Sequence, residues 1–295
     1  MLSHRFESGQ FPGYWNQKVS ISDPPEARCC LRQIPVIIFS MRSRRPSFTA
    51  RSVALIRSYI PRPMTQEGDP DAERRLYAGL RLRFGLPFLP GRGGSSVAER
   101  TVFIDEETLS AITAGITQVV IVGAGYDGRA LRFRKPGVRF FEIDHPATQA
   151  DKRQRLKDLG VPLDHVRFVP VNLISETLEA VLSKTDYCRE DASLFLCEGL
   201  IRYLPKDCVE QLLTSLRSLA SPGSKLILNN REYPVPVVRS RRRLFLSLLG
   251  EPILSTFAIG ETTRLLNGAG WQITREVRRT EGQTERILIE ANTNG

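Results

Sequence analysis

The sequence predicts an α/β protein built on a doubly wound, mostly parallel seven-stranded sheet. Three observations carry that prediction. Short apolar runs alternate with helix-patterned stretches from Val119 to Leu228, and such alternation argues a parallel sheet with helices on both faces. Gln118 to Asp144 (QVVIVGAGYDGRALRFRKPGVRFFEID) reads as strand, glycine turn, helix and a second strand that ends on an acid. Two late strand patterns, Trp271–Glu276 and Arg286–Glu290, follow five parallel ones and place one antiparallel strand in the sheet.

The chain has 295 residues, 41% of them hydrophobic and 25% charged, enough for one large domain with appendages. No apolar run approaches the roughly 20 residues of a membrane span, so no membrane association is expected. The net charge is +10. Its arginines are dispersed and no aromatic-interleaved RNA-binding signature appears, so the charge reads as solvated faces rather than a nucleic-acid surface. The densest cluster is Arg239 to Arg243. The five cysteines include no CxxC pair to suggest zinc, and a reducing cytoplasm is the expected compartment.

Residues 1–46 hold six prolines and glycines before Pro46 without sustained periodicity, and read as a disordered or loosely packed extension. Residues 47–295 read as the folded domain. Ser47 to Ile60 places Val53, Ile56 and Ile60 on one helical side, and Pro61 stops it. Asp71 to Phe84 is a second helix, Gly85 to Ser96 a glycine-rich loop, and Ala98 to Ala114 a third helix. Lying before the first strand, residues 47–115 are placed to form a helical lid.

The first strand is Val119–Val122, an apolar β-branched run suited to burial on both faces. A helix begins at Ala130, and the second strand, Arg139–Ile143, ends on Asp144. Then come a helix over His145–Leu159, with Pro146 in its first turn, a strand over Val166–Val171, a helix over Ser175–Leu182, a strand over Ser193–Cys197, a helix over Lys206–Leu219, and a strand over Lys225–Leu228. Residues 231–260 interrupt the alternation and read as a substrate-side insertion. A helix over Gly260–Gly268 leads into the terminal strands, which a polar Arg278–Glu285 turn separates.

Gly123, Gly125 and Gly128 satisfy G-x-G-x-x-G, a nucleotide-binding pattern that by itself fits NAD. Four features point instead to S-adenosyl-L-methionine (SAM). Asp127 puts an acid inside the loop, where a pyrophosphate prefers none. Asn172 ends the third strand, and Glu198 ends the fourth. Arg100 precedes the first strand and can pair with a carboxylate. Ligands of such sheets lie beyond the carboxyl ends of the strands. Each residue also has a plainer reading: Glu198 as a helix cap, Arg100 as a surface charge, Tyr203 as core, Asp127 as a cap of the following helix.

The stretches AERTVFID from Ala98, VVIVGAGYDGRALRF, FFEIDHPATQADKRQRL, VRFVPVNL and LFLCEGLIRYLP resemble the leucine carboxyl methyltransferase family of class I SAM-dependent methyltransferases, including its bacterial natural-product members. The resemblance covers roughly residues 48–230 and implies a Rossmann-like methyltransferase sheet. It implies that Arg100 holds the SAM carboxylate, that Gly123 and Gly125 pass beside the methionine portion, and that Asp144 takes the ribose hydroxyls with Glu142 in support. Asn172 and Leu173 would flank adenine, Glu198 would contact the methionine end or line the methyl-transfer cavity, and Tyr203 would face and orient the acceptor. The family commonly has Asp-Leu at Asn172-Leu173, and Asn keeps the side-chain acceptor. It often has Ser or Thr at Gly128, which reads here as a loop variant.

The expected activity is O-methylation of a carboxylate or hydroxyl on a small molecule, a secondary metabolite being the favoured class, by in-line displacement at the SAM methyl. Only His4, His145 and His165 are available as imidazole bases, which favours an acceptor that is already ionised. The alternatives are an NAD(P)-dependent oxidoreductase and a non-catalytic SAM-binding protein.

Overall fold

In a computed structural model, residues 47–78, 92–234 and 252–293 are described. The expectation for residues 1–46 lies outside them. Eight strands form one sheet: β1 Gln118–Val122, β2 Arg139–Asp144, β3 Val166–Pro170, β4 Ser193–Cys197, β5 Lys225–Tyr233, β6 Phe257–Ala258, β7 Gln272–Glu281 and β8 Thr284–Asn292. Their order is β3-β2-β1-β4-β5-β8-β7, with β6 pairing β5 off that path. The first five strands are parallel, and β8 runs antiparallel to both neighbours. This is the α/β, Rossmann-like sheet the sequence predicts, with one strand more than the seven expected. The extra strand, β6, is two residues long and closes on Glu232 and Tyr233, too short to leave a periodic signal.

Period-two alternation sorts the sheet's side chains into two cores. Val120, Val122, Phe141, Ile143, Phe195 and Leu226 face helices α6 (Leu178–Leu182), α7 (Lys206–Leu219) and α8 (Glu261–Gly268). Val119, Ile121, Phe140, Leu194 and Leu196 face α3 (Arg92–Thr113) and α4 (Arg129–Arg132). All five residues of β1 are buried, and each large aliphatic side chain removed from water contributes about 1.5–3 kcal/mol. Two-sided burial is why β1 and β4 are continuous apolar runs in the sequence.

Before the sheet lie α1 (Phe48–Arg57), capped by the Ser47 hydroxyl accepting from the Ala50 amide, and α2 (Ala72–Ala78). The rest of the Asp71–Phe84 helix expectation falls outside the described residues. The expected loop over Gly85–Ser96 is corrected in part, because α3 already begins at Arg92. Gly93 and Gly94 are poor helix formers, but they occupy only the first turn of a helix 22 residues long, so their cost is small. The third lid helix and α3 are therefore one element.

Three boundaries move. β5 runs on to Tyr233 instead of stopping at Leu228, α6 starts at Leu178 instead of Ser175, and the expected Arg278–Glu285 turn is mostly strand. The last error has a clear cause. β7 is an edge strand without an alternating apolar face, held laterally by charge: Arg278 pairs with Glu232 at 3.0 Å and Glu285 at 2.7 Å. A strand supported by ion pairs carries no hydrophobic period to read. Residues 235–251 of the expected insertion lie outside the described residues, as does its Arg239–Arg243 cluster.

Candidate active site

One cavity of about 500 Å³ opens at the carboxyl ends of the parallel strands, within the roughly 300–1,000 Å³ of small-molecule sites. It sits beside β1, where the strand order reverses between β2 and β4, the usual ligand position in such sheets. Arg100, Gly123, Gly125, Asp144, Asn172, Leu173, Glu198 and Tyr203 all line it. The structure thus gathers every predicted site residue around one space.

The glycine loop is shaped by what lies against it. Gly123 has φ 72° and Gly125 φ 50°, values that favour glycine. The Gly125 amide donates to Asp144 Oδ2, and a Cβ at Gly125 would lie 2.8 Å from the Ala50 Cβ of α1. Gly128 is different. Its φ is −97°, open to any residue, but a Cβ there would lie 2.5 Å from Glu73 Oε1. Gly128 is thus glycine for space, beside Glu73, and not for its backbone angle. Beneath the loop, Lys152 Nζ donates to the Asp127 carbonyl and to Glu142 Oε2, both at 2.6 Å. Glu142 supports the loop through Lys152 from behind the cavity wall.

Asp144 closes β2. Its Oδ1 accepts from the His145 amide at 2.5 Å, and Oδ2 from Gly125. Each oxygen keeps a second lone pair, so the carboxylate can take two further donors such as a vicinal diol. Burial raises this carboxyl above the usual aspartate range, and the Gly125 and His145 amides partly offset that. His145 caps α5 (Pro146–Asp158) through Nδ1, as its position implies. Asn172 Oδ1 accepts from the Ile174 amide at 3.2 Å, and Leu173 packs on the core edge.

Arg100 and Glu198 form a pair: Arg100 Nε donates to Glu198 Oε1 at 2.8 Å. Arg100 is not the plain surface charge of its simpler reading, since its side chain is 18% exposed. Among the described residues its other two nitrogens make no hydrogen bond. They lie beside Gly199, where even a Cβ would be 3.7–3.8 Å away. A carboxylate could be taken by that free edge of the fork.

Glu198 is not the open acceptor the sequence suggests. Arg57, Arg100 and Arg129 all reach its carboxylate, with Arg129 Nη1 at 2.7 Å. Burial alone would raise this carboxyl, but Arg57, Arg129 and Arg100 outweigh it and hold it well below the usual range. Asp127 belongs to the same network. It accepts from the Arg129 amide at 2.8 Å and Arg129 Nη1 at 2.6 Å, and pairs with Arg57 Nη1 at 3.1 Å. Against its burial, Arg129 and Arg57 pull it below the usual range. Its side chain accepts from the first amide of α4, while the N-cap position itself is Gly128. Two guanidiniums compensate its charge, so Asp127 by itself does not speak against a pyrophosphate.

Arg57, Asp105 and Arg129 escaped the sequence reading. Asp105, wholly buried on α3, pairs with Arg129 at 2.7 Å and with Arg62. A signal existed for Arg129. A cation in the first turn of a helix opposes the helix dipole, so an arginine there needs an acid nearby. Nothing local marked Arg57, which reads as one more polar residue on α1.

The leucine carboxyl methyltransferase family model matches residues 90–217. A protein of Mycolicibacterium gilvum (strain PYR-GCK), provisionally named an S-adenosyl-L-methionine-dependent methyltransferase, is 35% identical over 196 residues, 62% of each chain. A Mycolicibacterium smegmatis protein of the same provisional name is 31% identical over 187 residues, 60% of this chain and 62% of that one. The chain therefore spans less than two thirds of these relatives' length. Magnesium protoporphyrin IX methyltransferase of Synechocystis PCC 6803, solved with bound S-adenosylhomocysteine (SAH), is similar over 76% of this chain and 93% of that one, at 13% identity and a TM-score of 0.47.

Proposed function

We propose that the protein is a SAM-dependent O-methyltransferase acting on a small molecule, a reading supported by the match of residues 90–217 to the leucine carboxyl methyltransferase family model. The observation that carries this reading is Asp144, held by the Gly125 and His145 amides on the wall of the cavity that Arg100 also lines. A diol acceptor and a free guanidinium edge in one cavity suit a nucleoside that bears an amino-acid carboxylate.

When bound, SAM supplies a methyl group made electrophilic by its sulfonium. The chain's own residues bind and orient. Arg100 holds the carboxylate, and Glu198 fixes the guanidinium that does so. Asp144 takes the ribose hydroxyls. Asn172 offers the remaining lone pair of Oδ1 to the adenine amino group, and Leu173 covers the base. Tyr203, on a 3-10 turn over Ile201–Tyr203, faces the acceptor and orients it. On the lid side the cavity is lined by Ala50, Val53, Arg57, Val97 and Arg100, and on the side proposed for the acceptor by Arg231. The main contribution is alignment.

The acceptor oxygen is a carboxylate, or a hydroxyl acidic enough to ionise. His145 Nδ1 is taken by the α5 N-terminus, and His165 Nε2 lies 2.8 Å from the Ala130 carbonyl, so neither offers that nitrogen as a base. The small cavity fits a secondary metabolite better than a protein terminus.

Calorimetric titration of the full chain with SAM, SAH and NAD tests the reading. Binding of SAM and SAH but not NAD is expected. Binding of NAD alone would sink it, and SAM binding without turnover across carboxylic acids and phenols would leave a non-catalytic SAM-binding protein.

A further inference from the structure

The acceptor side of the cavity is lined by arginines in excess of acids. Arg231, Arg279 and Arg286 stand on its wall. They are paired with two carboxylates: Arg279 and Arg286 reach Glu99 at 2.9 and 3.0 Å, and Arg231 and Arg286 reach Glu281 at 2.8 and 2.9 Å. Three cations and two anions leave a positive balance before Arg202 is counted.

Arg202 lies between Ile201 and Tyr203 in the 3-10 turn and also lines the cavity. Among the described residues it has no acidic partner. Its Nε is buried without a hydrogen-bond partner, and Nη2 reaches only the Tyr233 hydroxyl, at 3.5 Å. A buried, unsatisfied guanidinium N–H is costly. The platform beneath it is fixed: the Arg202 carbonyl accepts from the Leu254 and Ser255 amides at 3.0 and 3.1 Å, and Ser255 Oγ donates to the Leu204 carbonyl at 2.6 Å.

Resting on the methyltransferase reading, we propose that Arg202 anchors an anionic group of the acceptor, a carboxylate. A carboxylate clamped in this way has its lone pairs engaged. It serves as a handle that positions the molecule, and a neutral analogue of the same shape forfeits it.

Benzoate and its neutral analogue benzamide are the probes. The full chain, with and without SAH, is titrated with each by calorimetry, alongside Arg202→Met and Arg202→Lys. Wild type should bind benzoate about tenfold or more tightly than benzamide, the scale of one charge-assisted contact. Arg202→Met should erase that preference while binding SAH within about twofold of wild type, which also shows that it folds. Arg202→Lys should keep part of it, because the charge stays and the fork is lost. Equal binding of the two probes, no benzoate binding, or a preference that survives in Arg202→Met would overturn the anchor. Loss of SAH binding by wild type would instead strike the methyltransferase reading, and the titration without SAH still judges Arg202.

Discussion

Arg57 and Glu198 are 141 positions apart in the chain, and their buried side chains meet as an ion pair. The contact ties the first described helix to the end of β4, across the cavity wall. It also explains how Glu198 stays ionised in a dry place: three guanidiniums supply the compensation that water would otherwise give.

Glu198→Gln keeps the shape and removes the charge, leaving three arginines short of an anion. Unpairing buried charges costs about 3–5 kcal/mol, and chemical denaturation at neutral pH should show a loss of that size. The pH dependence has a definite sign. A carboxyl held below its ordinary value of 4.5 in the folded chain contributes full stability above that value, and the contribution fades as pH falls through the lower folded value. The stability gap between wild type and Glu198→Gln should therefore be constant above about pH 5 and shrink in acid. A gap that widened in acid would contradict the network.

Asp144 titrates in the opposite direction. Burial raises its carboxyl above the ordinary 3.8, and ribose hydroxyls donate to its ionised form. SAH affinity should fall on acidification, with a midpoint above that of an ordinary aspartate. Asp144→Asn should bind SAH weakly and flatten the profile. Calorimetric titrations across the acid range measure both, and an unchanged profile in the variant would remove Asp144 from the site.

Arg100→Leu should weaken SAH by about tenfold to a hundredfold, the worth of a charge-assisted contact. It should leave 5′-methylthioadenosine, which has no amino-acid carboxylate, nearly unaffected. Equal losses for both ligands would mean that Arg100 acts through structure and not through the carboxylate.

Two glycines should fail for different reasons. Gly125→Ala places an L residue at φ 50° and a methyl 2.8 Å from Ala50. The left-handed backbone costs about 1–2 kcal/mol, and displacing α1 should loosen SAH as well. Gly128→Ala carries no backbone strain. It displaces Glu73, which pairs with Arg132 at 2.7 Å and with Arg62, so an overpacking loss of about 1–3 kcal/mol is expected with SAH affinity little changed. Thermal denaturation beside SAH titration separates the two.

Much of this protein follows from local pattern. Two-sided burial makes β1 and β4 continuous apolar runs, and the turn at Gly123 and Gly125 needs backbone that only glycine supplies cheaply. Those features reveal the sheet, its glycine loop and the acid that closes β2 from the chain alone. The placing of Asn172 and Glu198 just past strand ends, and of Tyr203 on the turn that follows β4, is also legible, because parallel sheets gather such residues at their carboxyl ends. Tertiary structure decided how the charges are spent. Asp127, Glu198 and Asp105 look alike as acids in a row of letters, yet each is committed to arginines that arrive from α1, α3 and α4. Coulomb pairing and desolvation depend on distance in space, and no spacing along the sequence encodes that Arg57 arrives at Glu198 while Arg202 meets no acid among the described residues.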